Sequence, residues 1–515
     1  MKHNFLFVAA ENDGIANCKA GGMGDVVRDV PRIIADLGDT SSIVTPAYAR
    51  LHHEQEKIAT LNFQYRGENQ TADLYKVQPK RELPNISHYV IDHPNIISGN
   101  IAHIYFDDPE QPFYTDANTF SLFCTAVAQA LKDNCFGDVD TVHLHDWHTS
   151  LLLFLREFHQ DFQNLKSLKM VYSIHNLSIQ GIRPFRNNES SVEAFYPNID
   201  ADYEFLQDPR YPDCINLMGV GIQLADKIHT VSPSYKKDIL KPSDFPNFVG
   251  GEGLQDFLQK ADAENRLVGI LNGCNYKNIN VAEPDAFYMN SLEAIFEWLQ
   301  LSDKKYKADF LVHTGEKIVK LIRNKPAFVC ASVARLTEQK FYFYKESPYI
   351  LEQILIALKE INGVYFVLGT GAPEYETFLR EFSYKYDNLI FFNGQSEKVI
   401  DSIYYGSDLY LMPSLFEPCG ISQMLAMRNG QPCFVHHTGG LIDTVEDMKT
   451  GFAFDGENFY EKSDNFVERF KEVLNIFQNN KKLWDSIIEN AEKVRFTWKK
   501  SVKDYYRLLY EIPID

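Results

Sequence analysis

An apolar run ends at Glu11 and leads into Lys19-Ala20-Gly21-Gly22-Met23-Gly24-Asp25. Glycines at such a turn let backbone N–H groups approach a ligand, and the helix that follows draws anions to its N-terminus. Lys19 adds a full positive charge. The same residues also fit a flexible turn with a solvated lysine. Neither GxGxxG nor a GKS or GKT run is present, so neither a dinucleotide fingerprint nor a Walker loop is matched.

Two more clusters sit at strand ends, where open α/β sheets bind ligands. His143-Leu144-His145-Asp146-Trp147-His148 raises metal binding, but the HExxH spacing is absent. A polar network at a strand end is the other reading. In Ser173-Ile174-His175-Asn176, His175 can donate to a sugar hydroxyl or polarise a reacting group, or it can be structural.

The second half repeats the theme. A strand expected at 327–334 runs into Arg335-Leu336-Thr337-Glu338-Gln339-Lys340. Arginine offers a rigid fork suited to phosphate, and lysine a point charge. Five apart across a strand-to-helix turn, the two can converge on a pyrophosphate, or they can be two solvated surface cations. Leu368-Gly369-Thr370-Gly371 ends another strand in a tight turn. In Met412–Ile421, Glu417 follows a buried strand, and the N–H groups of Cys419, Gly420 and Ile421 open a helix. A carboxylate beside such N–H groups can bind vicinal hydroxyls. Thr438-Gly439-Gly440-Leu441 opens one more helix.

The elements that must position these residues are short apolar runs alternating with amphipathic stretches. The runs are 5–10, 42–45, 141–145, 170–174, 227–231 and 267–271, then 327–333, 364–369, 389–392, 409–412 and 433–435. Met23, Val26, Val27, Val30, Ile33, Ile34 and Leu37 form one helix face, kinked at Pro31. Continuous apolar strands imply sheets covered on both faces, hence parallel, doubly wound α/β units. Two series of strands fit two such domains better than one wide sheet, with the break near 260–325.

Composition bounds the chemistry. The chain has 515 residues, enough for more than one core, and ordinary apolar and charged fractions. Lys and Arg total 51 against 70 Asp and Glu, a net charge of −19. That sign disfavours nucleic acid or an anionic membrane as the main partner, and an anion must be held by a local cationic site. Eight scattered cysteines without a CxxC pair speak for a reducing compartment, with no disulfide scaffold and no structural zinc. The apolar run Phe5–Ala10 is too short for a signal sequence, and no stretch is long enough to span a bilayer. Cytoplasm is the expected location.

Taken together, the blocks resemble those of bacterial glycogen synthases and plant starch synthases. Lys19–Asp25, His145–Thr149, His175–Gly181, Thr230–Tyr235, Gly269–Gly273, Arg335–Lys340, Gly369–Tyr375, Phe416–Gly420 and Thr438–Leu441 occur in the family's order. They span most of the chain, from Glu11 to Val445.

The resemblance implies two Rossmann-like domains facing across a deep cleft, the GT-B fold. The N-terminal domain, 1–265, would serve the glucan acceptor, and 266–493 the sugar-nucleotide donor. A C-terminal helix, 494–515, would cross back to the first domain. It further implies a hexosyltransferase of glycogen biosynthesis. Glucose would pass from ADP-glucose to the non-reducing 4-OH of an α-1,4-glucan, with retention of anomeric configuration. Neither a metal nor any other cofactor would be required, because cationic side chains stand at the diphosphate. The partners would be the sugar nucleotide and the glucan, with no nucleic acid and no membrane.

Residue by residue, Arg335 and Lys340 resemble the diphosphate clamp. Lys19 and the Gly21–Gly22 backbone resemble donor and phosphate contacts. His175 resembles the group touching the transferred glucose, and Asp146 an acceptor- or donor-side carboxylate. Glu417 and the N–H groups of Cys419, Gly420 and Ile421 resemble the sugar-hydroxyl site. Asn272, Thr438 and Gly439 fall at further donor-binding positions.

The sequence departs from the family pattern in several places. Met23 replaces the usual Leu, Asn275 an Asp, Leu415 an Arg and Phe341 a Gly. At 425 a Leu stands where related retaining transferases carry a second Glu, which fits the glycogen and starch synthases. Three other readings remain: a glucan-binding homologue with weakened or lost catalysis, the same transfer from UDP-glucose, and a metal-dependent transferase using Asp200 and Asp202. A phosphorylase reading fails on length and on the lack of a cofactor-lysine context.

Overall fold

The computed structural model describes residues 2–48, 55–96, 104–106, 108–199, 204–276, 286–301 and 305–514. Asp200 and Asp202 lie outside them, and so does the stretch 277–285. The chain divides into two compact units. One comprises Met1–Ser243, Gly250–Asn272 and Trp498–Asp515, and the other Asp244–Val249 and Gly273–Thr497.

The first unit is built on a nine-stranded sheet. Its strands are β1 (Asn4–Val8), β2 (Thr40–Pro46), β3 (Gln55–Tyr65), β4 (Glu68–Val77), β5 (Ile86–Asp92), β6 (Thr141–His145) and β7 (Lys169–Ile174), and then, after a small antiparallel pair β8 (Ile182–Pro184) and β9 (Cys214–Asn216), β10 (Lys227–Thr230) and β11 (Leu267–Gly269). The order is β11-β10-β7-β6-β1-β2-β5-β4-β3. All pairings are parallel except β3–β4 and β4–β5. β1, β6 and β7 are buried almost throughout, as continuous apolar runs require.

The chain leaves β1 toward β2 on one side and returns to β6 on the other. The order therefore reverses between β1 and β6. Crevices at such reversals, outside the carboxyl ends of the strands, are where open sheets take ligands. The loop after β1 carries Glu11 to Gly22, and the loop after β6 starts at Asp146. The helix Gly22–Asp36 runs through Pro31 without a break.

The second unit has six parallel strands: β12 (Phe328–Val333), β13 (Gly363–Leu368), β14 (Leu389–Phe392), β15 (Leu409–Met412), β16 (Cys433–His436) and β17 (Gly451–Phe454). Their order is β14-β13-β12-β15-β16-β17. Alternate residues fill two separate cores. Tyr365 and Val367 pack on one face with Phe434 and Phe466, while Val364, Phe366 and Leu368 pack on the other with Phe287 and Ile318. Each fully buried side chain of this size contributes about 1.5–3 kcal/mol. Here the order reverses between β12 and β15, so the loops from Arg335 and from Pro413 meet at the second switch point.

The unit boundary falls at Asn272, not at 265. β11 pairs with β10 in the first sheet, Ile228 opposite Leu267. Ser501 Oγ then donates to Leu271 O at 2.6 Å. Residues 244–249 are drawn to the second unit, where Lys462 Nζ donates to Asn247 O at 2.8 Å and Val249 enters the core. The last helix begins at Trp498 rather than 494, since Val494 caps the preceding helix, Lys481–Lys493. It continues as a π-helical turn, Tyr505–Tyr510, against β1. Phe5 meets Tyr510 at 4.7 Å, and Tyr506 O–H donates to Asp39 at 2.5 Å.

Candidate active site

In the first unit, the loop after β1 folds around a carboxylate that the motif itself does not contain. Glu11 Oε2 accepts from the N–H groups of Ala20 at 2.7 Å and Gly21 at 2.6 Å. Tyr105 O–H donates to the other oxygen at 2.6 Å. The Gly21 N–H expected at a phosphate is therefore engaged by Glu11. Gly22, the first residue of the helix, is exposed.

Lys19 is exposed but not unpaired. Its Nζ lies 2.7 Å from Asp25 and 3.8 Å from Asp13. Asp13 also takes Lys80 at 2.6 Å and the Arg28 guanidinium. Against its burial, the Lys80 hydrogen bond and the charges of Lys19 and Arg28 hold Asp13 below the usual carboxylate range.

Asp146 and His175 come together across β6 and β7, whose register sets His145 opposite Ser173. Asp146 has a positive φ of 53°, a conformation that costs a non-glycine residue about 1–3 kcal/mol. It turns the carboxylate toward the next strand, where Oδ1 accepts the His175 N–H at 2.7 Å. Burial pushes Asp146 up to about 8, with the N–H groups of His175 and Asn176 pulling the other way. The His175 ring is bonded to His145, Nε2 to Nδ1 at 2.9 Å. Burial takes His175 down to about 3, so the ring is neutral. The buried amide oxygen of Asn272 has no partner among the described residues. His143, His145 and His148 stack on their neighbours, and no metal-holding group of side chains occurs among the described residues.

In the second unit the motif loops are stitched to one another. Leu336 N donates to Thr370 O at 3.0 Å, and Ala372 N to Leu336 O at 2.9 Å. A Cβ on Gly371 would lie 2.2 Å from Leu336 O, so only glycine allows this approach. Leu415 N donates to Gln339 O at 2.8 Å. Arg335 is exposed, and its guanidinium has no partner among the described residues.

Lys340, in the first turn of the helix Glu338–Glu346, forms an ion pair with the buried Glu417. Ser414 Oγ adds a 3.0 Å bond to the same carboxylate oxygen. The Glu417 side chain is thus held by Lys340 and Ser414. Cys419, Gly420 and Ile421 precede a short helix, Ser422–Arg428, and Gly420 has φ of 74°. Gly440 N donates to Glu417 O at 2.9 Å, Thr438 N bonds His436 O at 2.9 Å, and Gly439 packs against the Glu417 carbonyl.

Met23, Phe341 and Leu415, three of the departures from the family pattern, are buried in the cores, while Asn275 is exposed and its carbonyl accepts from Arg428 at 2.6 Å.

The chain is similar to known proteins over nearly its whole length. A family model described as starch synthase catalytic domain matches residues 4–260, and one described as glycosyl transferases group 1 matches 313–504. A glycogen synthase from Clostridioides difficile is 32% identical over 96% of this chain and 97% of its own. The chain belongs to the glycogen and starch synthase family. The glycogen synthase of Bacillus anthracis is 30% identical over 98% of both chains. The family's fold is seen in the catalytic domain of starch synthase IV from Arabidopsis thaliana bound to ADP and acarbose. That structure matches with a TM-score of 0.76 at 21% identity, covering 99% of each chain. Sucrose-phosphate synthase from Thermosynechococcus elongatus matches with a TM-score of 0.58 at 14% identity over 99% of each chain. Like the rest of the family, the chain is a glycosyltransferase, with the two Rossmann-like α/β units of the GT-B fold.

Glu11, Tyr105, Ser414 and His145 were not singled out as site residues from sequence. Glu11 carried one legible signal, a carboxylate at the end of the first buried strand.

Proposed function

We propose that this glycogen synthase family member moves glucose from ADP-glucose to the non-reducing 4-OH of an α-1,4-glucan, with retention of configuration. The observation that carries the reading is the β12/β15 switch point. There an acidic chain presents Arg335, without a partner among the described residues, beside Lys340, on a loop pinned to the Glu417 loop. Breaking a glycosyl–phosphate bond leaves positive charge on the anomeric carbon and negative charge on the departing diphosphate. Fixed cations aimed at that anion lower the barrier. Arg335 and Lys340 take this role in the second unit, and Lys19 is the candidate cation of the first. The ADP found with the Arabidopsis enzyme fits a donor that carries ADP.

The remaining groups divide by chemistry. His175 and Asp146 serve the transferred sugar. In the second unit Glu417 and the backbone at Cys419–Ile421 take sugar hydroxyls, and Thr438 and Gly439 hold the donor; in the first, Gly22 and Asn272 are the donor-binding positions, while the Gly21 N–H is engaged by Glu11. The reaction as proposed calls on no metal. No disulfide joins any of the eight cysteines, and no helix among the described residues is long and apolar enough to cross a membrane. Both fit the cytoplasm as its place.

The test is release of ADP or UDP from the two glucose nucleotides, with and without glycogen, in EDTA. Glycogen-dependent release from ADP-glucose that EDTA leaves intact is expected. Faster release from UDP-glucose would overturn the donor, loss in EDTA the metal-free reaction, and glycogen binding without release the enzyme reading.

A further inference from the structure

The buried face of β6 and β7 carries more histidine than the transfer reaction uses. His143 Nδ1 meets Tyr510 Oη at 2.9 Å, and its Nε2 meets Ser173 Oγ at 2.7 Å. Ser173 Oγ meets His229 Nδ1 at 2.8 Å, and His229 Nε2 meets Ile270 O at 3.2 Å. A carbonyl only accepts, so His229 Nε2 carries its proton. His229 Nδ1 is then bare and accepts from Ser173, which accepts from His143 Nε2–H, and Tyr510 O–H closes the chain on His143 Nδ1. Each nitrogen of His143 and His229 has one partner in this line, and Tyr505 Oη lies a longer 3.5 Å from His229 Nδ1.

His145 stands outside it. Its ring stacks on His143 at 4.4 Å, and among the described residues the ring's one hydrogen bond runs between Nδ1 and His175 Nε2 at 2.9 Å. His145 Nε2 is buried without a partner among the described residues. One of the two rings must supply the proton of that bond. If His175 supplied it, His145 would bury an N–H with nothing to accept it. Orphaned buried N–H groups are rarer than orphaned acceptors. The favoured state puts the His145 proton on Nδ1 and leaves Nε2 as a bare, buried nitrogen. Burial holds both rings well below the ordinary imidazole range, so neither carries a second proton.

We infer that His145 is a positioning residue that fixes His175 as the Nδ1–H tautomer. His175 then offers a hydrogen-bond donor, and not a lone pair, to the transferred sugar. His175 Nδ1 has no partner among the described residues. The inference rests on the functional reading above only for what His175 faces. The tautomer itself follows from the protein alone. Asp146 fixes the backbone of His175 and His145 fixes its ring, so two consecutive residues of one strand end orient one group on the next.

Ring-nitrogen NMR on the histidine-labelled full chain, without substrate, reads the tautomers directly, with signals assigned by single His→Gln variants. Nδ1–H is expected for His145 and His175, and Nε2–H for His143 and His229. His175 found protonated on Nε2 overturns the inference. His145→Phe keeps a ring in the stack and removes both nitrogens. It should release the His175 tautomer and lower kcat by about tenfold, the weight of one hydrogen bond, with KM little changed. His145→Asn places an amide N–H near the former Nδ1 and should restore both signals and most of kcat. An unchanged His175 signal and kcat in His145→Phe would refute the positioning role. If that variant does not fold, His145→Asn decides: a restored tautomer supports the role and a lost one refutes it. A chain with the stated signals and no transfer from either nucleotide sinks the functional reading and leaves the tautomer assignment standing.

Discussion

Lys340 and Glu417, 77 residues apart in sequence, form an ion pair at the point where the second sheet reverses its strand order. Arg335, on the same turn, has no partner among the described residues. The two cations should therefore fail differently. Arg335→Ala should lower turnover by ~10²–10³, the effect of removing one preorganised charge, and leave the urea midpoint unchanged. Lys340→Ala should lower turnover and also cost about 3 kcal/mol of stability, because it strands a buried carboxylate. Near-normal rates in both variants would remove the clamp from the mechanism. An unshifted midpoint in Lys340→Ala would show that the pair does not hold the loop.

Glu417 is fixed at its carbonyl as well as its carboxylate. Gly439 has φ of 46°, and a Cβ there would sit 2.0 Å from Glu417 O. Backbone atoms cannot yield as a flexible side chain does. Gly439→Ala should push the 413–420 loop away from the 438–440 turn. The expected result is a destabilised second unit and turnover lowered at least as far as in Glu417→Ala. A variant with wild-type rate and midpoint would show that the loop moves without consequence.

Much of this architecture was legible because buried parallel strands announce themselves as continuous apolar runs. β6 and β14 fall at the bounds their runs suggested, and β1, β2 and β7 within two residues. β3 and β4 were missed for the converse reason. Leu61, Phe63 and Tyr65 alternate with exposed polar residues, so the hairpin has no continuous run. β17, Gly451–Phe454, was also missed, although it is as long as β14. At the site, residue types were legible and their partners were not. Glu11 reaching the Gly21 N–H, and Lys340 reaching Glu417, depend on which strands become neighbours. The His145–His175 bond is implicit in the β6–β7 register, but only once the two strands are known to be adjacent.

Acid should destabilise the chain well before its exposed carboxylates titrate. Burial holds His88 and His229 at about 4 and His148 and His175 at about 3, with His143 and His145 also well below their usual range. An unfolded histidine takes its proton near 6.5. Between that pH and about 4 the unfolded chain gains protons that these folded rings refuse. Each surplus proton lowers stability by about 1.4 kcal/mol per pH unit, and the full histidine contribution is present only above 6.5. Burial raises Asp116 to about 7, Asp146 to about 8 and Asp408 to about 6, which works in the opposite direction. The histidines outnumber these carboxylates. The urea midpoint should fall from pH 7 to pH 5, and a flat profile would contradict the buried neutral rings.

The C-terminal segment should decide whether the first unit folds at all. Trp498, Val502, Tyr505, Tyr506, Leu509 and Tyr510 are all buried. At about 1.5–3 kcal/mol for each such side chain, their burial is of order 10 kcal/mol, as large as the stability of a typical domain. Tyr510 also supplies the hydroxyl on His143, and Tyr506 the one on Asp39. Removal of 498–515 would open Phe5 and the His143–His229 line to water. The second unit keeps its own cores, none of which draws on this segment. A chain ending at Thr497 should lose protease protection across Met1–Ser243 and retain it across Gly273–Thr497. Equal protection of both would mean that the helix adds little. Tyr510→Phe, which keeps the ring and removes only the hydroxyl, should cost about 1 kcal/mol, so the ring burial and not the hydrogen bond carries most of the effect.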